Sequence, residues 1–136
     1  MKLRIINIVG ARPNFMKIAP LMAEYRKHPD RFEPVLVHTG QHFDENMSRV
    51  FFSELEIPPP DYNLGVAGLS HGAMTGQMME KIEAALIDER PDWVMVFGDT
   101  NSTLAGSLAA AKLNIPVAHV EAGLRSFNMR MPEEIN

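Results

Sequence analysis

Short apolar runs rich in branched residues alternate along this chain with longer stretches of helical periodicity, and that alternation constrains the fold more than any other feature. The short runs are "LRIINIVG", "FEPVLVHTG", "DWVMVFGD" and "IPVAHVEAG". Each is nearly continuously apolar rather than alternating with period two, as strands covered on both faces of a parallel sheet read. The intervening stretches have helical spacing. After Pro13, Phe15, Ile18, Leu21 and Met22 fall on one face, and Pro20 either kinks that helix or sits in its opening turns. From Ser70 to Glu89, Ser70 is placed to cap, Met74, Met78, Ile82 and Leu86 recur every four residues, and Pro91 ends the helix. A Met-rich stripe can serve a partner, but a helix crossing a sheet needs one for its core face. "NSTLAGSLAAAKLN" is crowded with small residues, which predicts a helix lying hard against the central strands. "IPPPD" at 57–61 is a stiff connector into a weak strand at Tyr62–Leu64. Strict strand–helix alternation with short links predicts an α/β fold, a Rossmann-like parallel sheet with helices on both faces.

Bulk properties narrow the function. A length of 136 residues is one domain's worth of chain, with no repeat or internal boundary. The net charge of −4 argues against a nucleic-acid partner. There are no cysteines, so disulfides, zinc–thiolate sites and thiol chemistry are excluded, which suits a reducing cytoplasm. The N-terminal apolar run reaches Gly-Ala-Arg-Pro too soon for a membrane span and lacks a cleavage site for secretion, so it reads as the first strand.

In an open parallel sheet, ligands bind beyond the carboxyl ends of the strands. Here those ends carry Gly10, Arg12 and Lys17; Gln41 and His42; Asp99; and Glu121 with Arg125. "GARPNF" lacks the Gly-x-Gly-x-x-Gly of dinucleotide folds, and no Gly-Lys-Ser/Thr phosphate loop is present. A helix N-terminus with Arg12 and Lys17 suits a phosphate or diphosphate, although both also fit as solvated charges. Asp99 opens a helix and, taken alone, reads as its cap. Glu121 directly continues a buried strand, where a carboxylate requires a raised pKa or a cationic partner. Glu133 and Glu134 follow a short loop later. Three acidic positions near one rim suggest proton transfer on an anionic substrate, with magnesium-assisted hydrolysis a competitor. His119 and Glu121 share a strand face and could be metal ligands, but no third ligand stands at a recognisable spacing, which favours a packed, hydrogen-bonded histidine. His28 and His71 read as surface or cap residues.

"GARPNFMKIAPL", "HTGQHFDENMS", "PDYNLGV", "VFGDTNSTLAGSLAAAKLNIPVAHVEAGLRSFN" and "MPEEIN" together resemble the N-terminal part of the UDP-N-acetylglucosamine 2-epimerases over essentially the whole chain. The resemblance implies the N-terminal half of a GT-B fold, with a nucleotide sugar in the cleft between two Rossmann-like domains. It implies interconversion of UDP-N-acetylglucosamine and UDP-N-acetylmannosamine by elimination of UDP, a 2-acetamidoglucal intermediate and re-addition, with no cofactor and no metal. Arg12 and Lys17 match the family's basic positions, which serve the anionic substrate or the site's geometry. Asp99, Glu121 and Glu133 match its functional carboxylates, and Glu134 reads as structural. Gln41 and His42 match a pair that in some bacterial members contacts a second, regulatory substrate molecule; Asp44, where those members carry an amide, argues against regulation here.

The family continues past "PEEIN" with an arginine and a second domain that contributes a histidine and much of the UDP site. The expectation is a single domain over 1–136 with its C-terminal domain absent, inactive or nearly so alone. Its expected partners are a UDP-sugar, the missing domain or a complementing chain, and further copies of itself in a full-length homo-oligomer. Neither nucleic acid nor membrane is expected, and the location is the cytoplasm. Alternatives are an epimerase of a related UDP-sugar, a hydrolysing epimerase, and a non-catalytic nucleotide-sugar-binding or assembly domain.

Overall fold

The structure, a computed structural model, describes residues 1–40 and 45–136. Five parallel strands form one sheet in the order β3-β2-β1-β4-β5. They are β1 (Leu3–Val9), β2 (Phe32–His38), β3 (Tyr62–Asn63), β4 (Trp93–Phe97) and β5 (Val117–Val120), separated by α1 (Arg12–Lys27), α2 (Glu45–Glu54), α3 (His71–Glu89) and α4 (Asn101–Lys112), with α5 (Pro132–Ile135) last. The expected element order and parallel sheet are both found.

The apolar runs fill two cores. Alternate residues Ile6, Ile8, Val35, Val37, Val94 and Val96 face α3 and α4, against Met78, Ile82, Leu86, Ala105 and Ala109. Ile5, Val9, Leu36 and Phe97 face α1, against Phe15, Ile18, Met22 and Tyr25. Each fully buried Val, Leu, Ile, Phe or Met among them contributes about 1.5–3 kcal/mol. The methionine stripe of α3 is therefore core, as a helix crossing a sheet demands. Helix α4 does lie hard on the strands: a Cβ on Gly106 would stand 2.9 Å from Ile8 Cδ1 and 3.1 Å from Val96 Cγ1. Asn7 is fully buried yet satisfied, its amide donating to the Ile5 and Val35 carbonyls and its oxygen accepting from the Tyr25 hydroxyl at 3.1 Å.

Helix α1 continues through Pro20, which is exposed and stands well beyond the opening turns, so of the two expected placements the one in the opening turns is not found. Two local details differ from the sequence expectation. The cap of α4 is Thr100, whose hydroxyl accepts from Thr103 N, and Asp99 is left out of the cap. Strand β5 is at the sheet edge and only partly covered, so Glu121 follows a half-buried strand rather than a buried one.

The registers level the strand ends. Asn7 lies opposite Met95, Val9 opposite His38 and Phe97 opposite Val120. Gly10, Thr39, Gly98 and Glu121, the residues that leave the strands, therefore stand in one row along the carboxyl edge.

Candidate functional site

The β1–α1 turn is fixed by Asn14, a buried residue that the sequence reading passed over. Its Oδ1 accepts from Gly10 N and Ala11 N, both at 3.1 Å, and its Nδ2 donates to the Phe97 carbonyl at 3.3 Å. The side chain thus closes the helix N-terminus and ties β1 to β4; its position three residues into the helix was the available signal. Gly10 is required for space, since a Cβ there would collide with the Thr39 and Ser102 hydroxyls, which hydrogen-bond to each other at 2.9 Å. Arg12 is exposed on the first turn of α1.

Lys17, one turn further along α1, reaches across the end of β4 and pairs with Glu121. This is the cationic partner that a carboxylate at that strand end calls for. Glu121 has φ +64°, a left-handed conformation that costs a non-glycine residue about 1–3 kcal/mol and lifts the side chain out of the strand direction. Its side chain is 42% exposed. The path of Lys17 passes over Gly98, itself left-handed at φ +67°.

Gly98 is held from two sides. Its N–H donates to the Val120 carbonyl at 2.9 Å, and its carbonyl accepts from His119 Nε2 at 2.6 Å. His119 is thus hydrogen-bonded as expected but not packed, because its strand is an edge. The next carbonyl, that of Asp99, accepts from Asn136 Nδ2 at 2.6 Å.

That last bond docks the segment carrying Glu133 and Glu134. The two adjacent acids have different work. Glu134 accepts from Arg125 Nε and Nη2 at 3.0–3.2 Å and from the Ser126 and Phe127 amides at 3.0 and 2.9 Å. Its side chain is only 5% exposed. The Arg125 guanidinium, with the Phe127 and Ser126 amides, holds this carboxyl down to about 2, so it is a fixed anion bracing the loop. Glu133 turns instead toward the sheet edge. There Asp99, Glu121 and Glu133 line one cavity of about 70 Å³, together with Gly98, His119 and Asn136. The structure so brings together three carboxylates, Asp99 and Glu121 from just past the ends of β4 and β5 and Glu133 from α5, with Lys17 paired to Glu121. Among the described residues, no group of three or more His, Asp or Glu is arranged to hold a metal ion.

A larger groove of about 970 Å³ adjoins this cavity, sharing Asp99 and Asn136 with it. Its walls are the N-terminal turns of α3 and α4 and the Arg130–Ile135 stretch. Sequence reading did not find it, because it exists only where three segments distant in sequence converge. Gln41 and His42 lie outside the described residues. His28 closes the C-terminus of α1 and His71 opens α3 at the surface.

Comparison with known proteins then places the chain. The family described as UDP-N-acetylglucosamine 2-epimerase matches residues 23–136. A Methanococcus maripaludis protein described as a UDP-N-acetylglucosamine 2-epimerase homolog is 59% identical over 134 residues, 98% of this chain and 37% of its own. The UDP-2,3-diacetamido-2,3-dideoxy-D-glucuronate 2-epimerase of Pseudomonas aeruginosa is 56% identical over 134 residues, 98% of this chain and 38% of its own. The crystal structure of Methanocaldococcus jannaschii UDP-GlcNAc 2-epimerase with UDP-GlcNAc and UDP superposes with TM-score 0.93 at 48% identity, over 98% of this chain and 36% of that one. The chain thus spans less than two-fifths of the length of each of these proteins.

Proposed function

The chain belongs to the UDP-N-acetylglucosamine 2-epimerase family, and from that premise we propose that it forms the N-terminal wall of a nucleotide-sugar 2-epimerase site. The observation that carries this reading is the convergence of Asp99, Glu121 and Glu133 on one small cavity. Epimerising carbon 2 of a 2-acetamido sugar requires removing a weakly acidic C–H proton on one face and returning a proton on the other. Two carboxyl groups held at different angles around the carbon can do both. Here the third can assist departure of the anomeric oxygen.

In the proposed sequence, one carboxylate takes the carbon-2 proton while the carbon 1–oxygen bond breaks and UDP leaves with the electron pair. A proton is then delivered to the opposite face of the unsaturated sugar as a UDP oxygen re-attacks carbon 1. Lys17 holds Glu121 in place, a positioning task rather than direct contact with substrate. Arg12, on the first turn of α1, is the cation offered to the diphosphate, aided by the helix N-terminus. The remainder of the site belongs to a second domain of the kind that the longer relatives have room for. No helix among the described residues is long and apolar enough to cross a membrane. In this reading the work is cytoplasmic, on UDP-sugars destined for cell-surface polysaccharide, in a homo-oligomer of the full-length enzyme.

Exchange of the carbon-2 hydrogen in deuterated water, with release of UDP, is the test. The 136-residue chain alone should exchange near background, because half a cleft cannot position both reacting ends. Joined to the remaining length of a relative, it should turn over. Asp99→Asn, Glu121→Gln and Glu133→Gln should each then lower exchange about 10²–10⁴-fold. Equal exchange by wild type and all three variants would remove the carboxylates from the mechanism, and full turnover by the short chain would remove the need for a second wall.

A second reading concerns the sugar. The P. aeruginosa enzyme, 56% identical, is described as acting on a 2,3-diacetamido glucuronate, so a related UDP-sugar is the alternative substrate, with the same chemistry at carbon 2.

A further inference from the structure

The arm that follows β5, residues 122–136, is braced within itself but buries no apolar side chain in the body of the molecule. Arg125 and the Ser126 and Phe127 amides all bind Glu134, so the arm holds its own shape. Helix α5 has no buried residue, and Leu124, Phe127, Met129, Met131 and Ile135 are exposed. The groove of about 970 Å³ lies between the arm and the N-terminal turns of α3 and α4, where packing would otherwise anchor it. At its base Glu121 and Gly123 are both left-handed, at φ +64° and +83°, and a Cβ on Gly123 would meet nothing within 4 Å. Among the described residues, a single hydrogen bond ties the arm to the sheet and its helices: Asn136 Nδ2 donates to the Asp99 carbonyl at 2.6 Å.

The two ends of that bond differ. Asp99 belongs to the fixed side: the Gly98 carbonyl before it accepts from His119 Nε2 at 2.6 Å, and Thr100 after it caps α4. Asn136 belongs to the arm, three residues beyond Glu133, a separation that places two side chains on one face of a helical turn. Both line the carboxylate cavity, whereas Glu134 between them turns away to the brace. Where Asn136 is held, Glu133 is held with it. One neutral hydrogen bond shifts an equilibrium about two- to tenfold, which weighs heavily in an arm with no apolar anchor.

Resting on the reading that Asp99, Glu121 and Glu133 work on a nucleotide sugar, we propose that Asn136 is a positioning residue for the reaction, its amide latching the arm to the Asp99 main chain and so setting Glu133 against the two carboxylates of the sheet edge. With the latch open, the brace from Arg125 to Glu134 is intact and the arm leaves as a unit, taking Glu133 with it. Asp99 and Glu121 stay behind, because β4 and β5 hold their backbones.

The test is a double-mutant cycle on carbon-2 hydrogen exchange with UDP-N-acetylglucosamine, using the chain joined to the remaining length of a relative. Asn136→Ala should lower kcat about ten- to a hundredfold, the cost of a misplaced reacting group, and change KM less than about threefold. Asn136→Gln, which keeps an N–H donor, should recover part of the rate; Asn136→Asp, which has none, should not. In a Glu133→Gln background, Asn136→Ala should cost almost nothing more, because the group it positions is already gone. In the 136-residue chain, Asn136→Ala should lower the nitrogen-15 heteronuclear NOE across the arm while the urea midpoint stays in place, since no core is disturbed. A slow Glu133→Gln enzyme beside a fast Asn136→Ala one, or equal costs of Asn136→Ala in both backgrounds, overturns the role of Asn136 alone. A Glu133→Gln enzyme as fast as wild type overturns the part given to Glu133 in the nucleotide-sugar reading, and this inference with it.

Discussion

Replacing Gly106 by alanine sets two effects of known sign against each other. Alanine is about 1 kcal/mol better than glycine inside a helix. At Gly106, however, the new methyl would stand 2.9 Å from Ile8 Cδ1 and 3.1 Å from Val96 Cγ1, both on buried side chains of the central strands. Relieving such contacts in a close-packed core costs about 1–3 kcal/mol. Gly76, inside α3, supplies the control, because a Cβ there meets nothing within 4 Å. Gly76→Ala should therefore show the helix gain alone and stabilise the chain. Gly106→Ala should show the same gain with the packing cost on top, and should be neutral to destabilised by about 2 kcal/mol. The difference between the variants isolates packing, because the propensity term cancels. In urea, with a slope of about 2 kcal/mol per molar, midpoints should separate by roughly 0.5–1.5 M. If both substitutions raise the midpoint equally, helix α4 does not lie on the sheet as described.

Other expectations are checked more briefly. Tyr25→Phe removes the hydroxyl that donates to Asn7 Oδ1 in the core and should cost about 1–3 kcal/mol in the same urea assay, as a buried acceptor loses its partner. Glu134 has its carboxyl at about 2 in the folded chain against an ordinary 4.5, so its contribution is fully present above the higher value. It should be lost as pH falls from about 4.5 toward 2, and Glu134→Gln should flatten that part of a stability–pH profile. Wild type and variant losing stability in parallel over that window would show that the loop is braced otherwise.

The fold was readable because its determinants are local. Continuous branched runs, the Ser70 cap, Pro91 and the small-residue helix each carry their structural consequence in a few adjacent residues. Asp99, Glu121 and Glu133 were also readable as candidates, two by their place directly after a strand and the third with the resemblance. What escaped were features that depend on which strand is outermost and on what lies across a gap. Position of β5 at the edge decides that His119 and Glu121 are half-exposed, and nothing within "VAHVEAG" encodes it. Thr100, one residue past Asp99, takes the cap because its own hydroxyl can pair with Thr103, a choice between adjacent capping residues that composition leaves open. Glu133 and Glu134 are indistinguishable by type; only the Arg125 and backbone partners of the second separate brace from site. The large groove and Arg130's place in it depend on three segments meeting.

Gly98 has one further consequence. A Cβ on that residue would stand 3.2 Å from Lys17 Nζ, in the path the lysine takes from α1 to Glu121 at the end of β5. At φ +67° the residue also holds a backbone conformation that L side chains rarely adopt, so Gly98→Ala would be strained in the backbone and would push the flexible end of the lysine by a few tenths of an ångström. Positions 17, 98 and 121, far apart in sequence, are thereby linked through one ion pair.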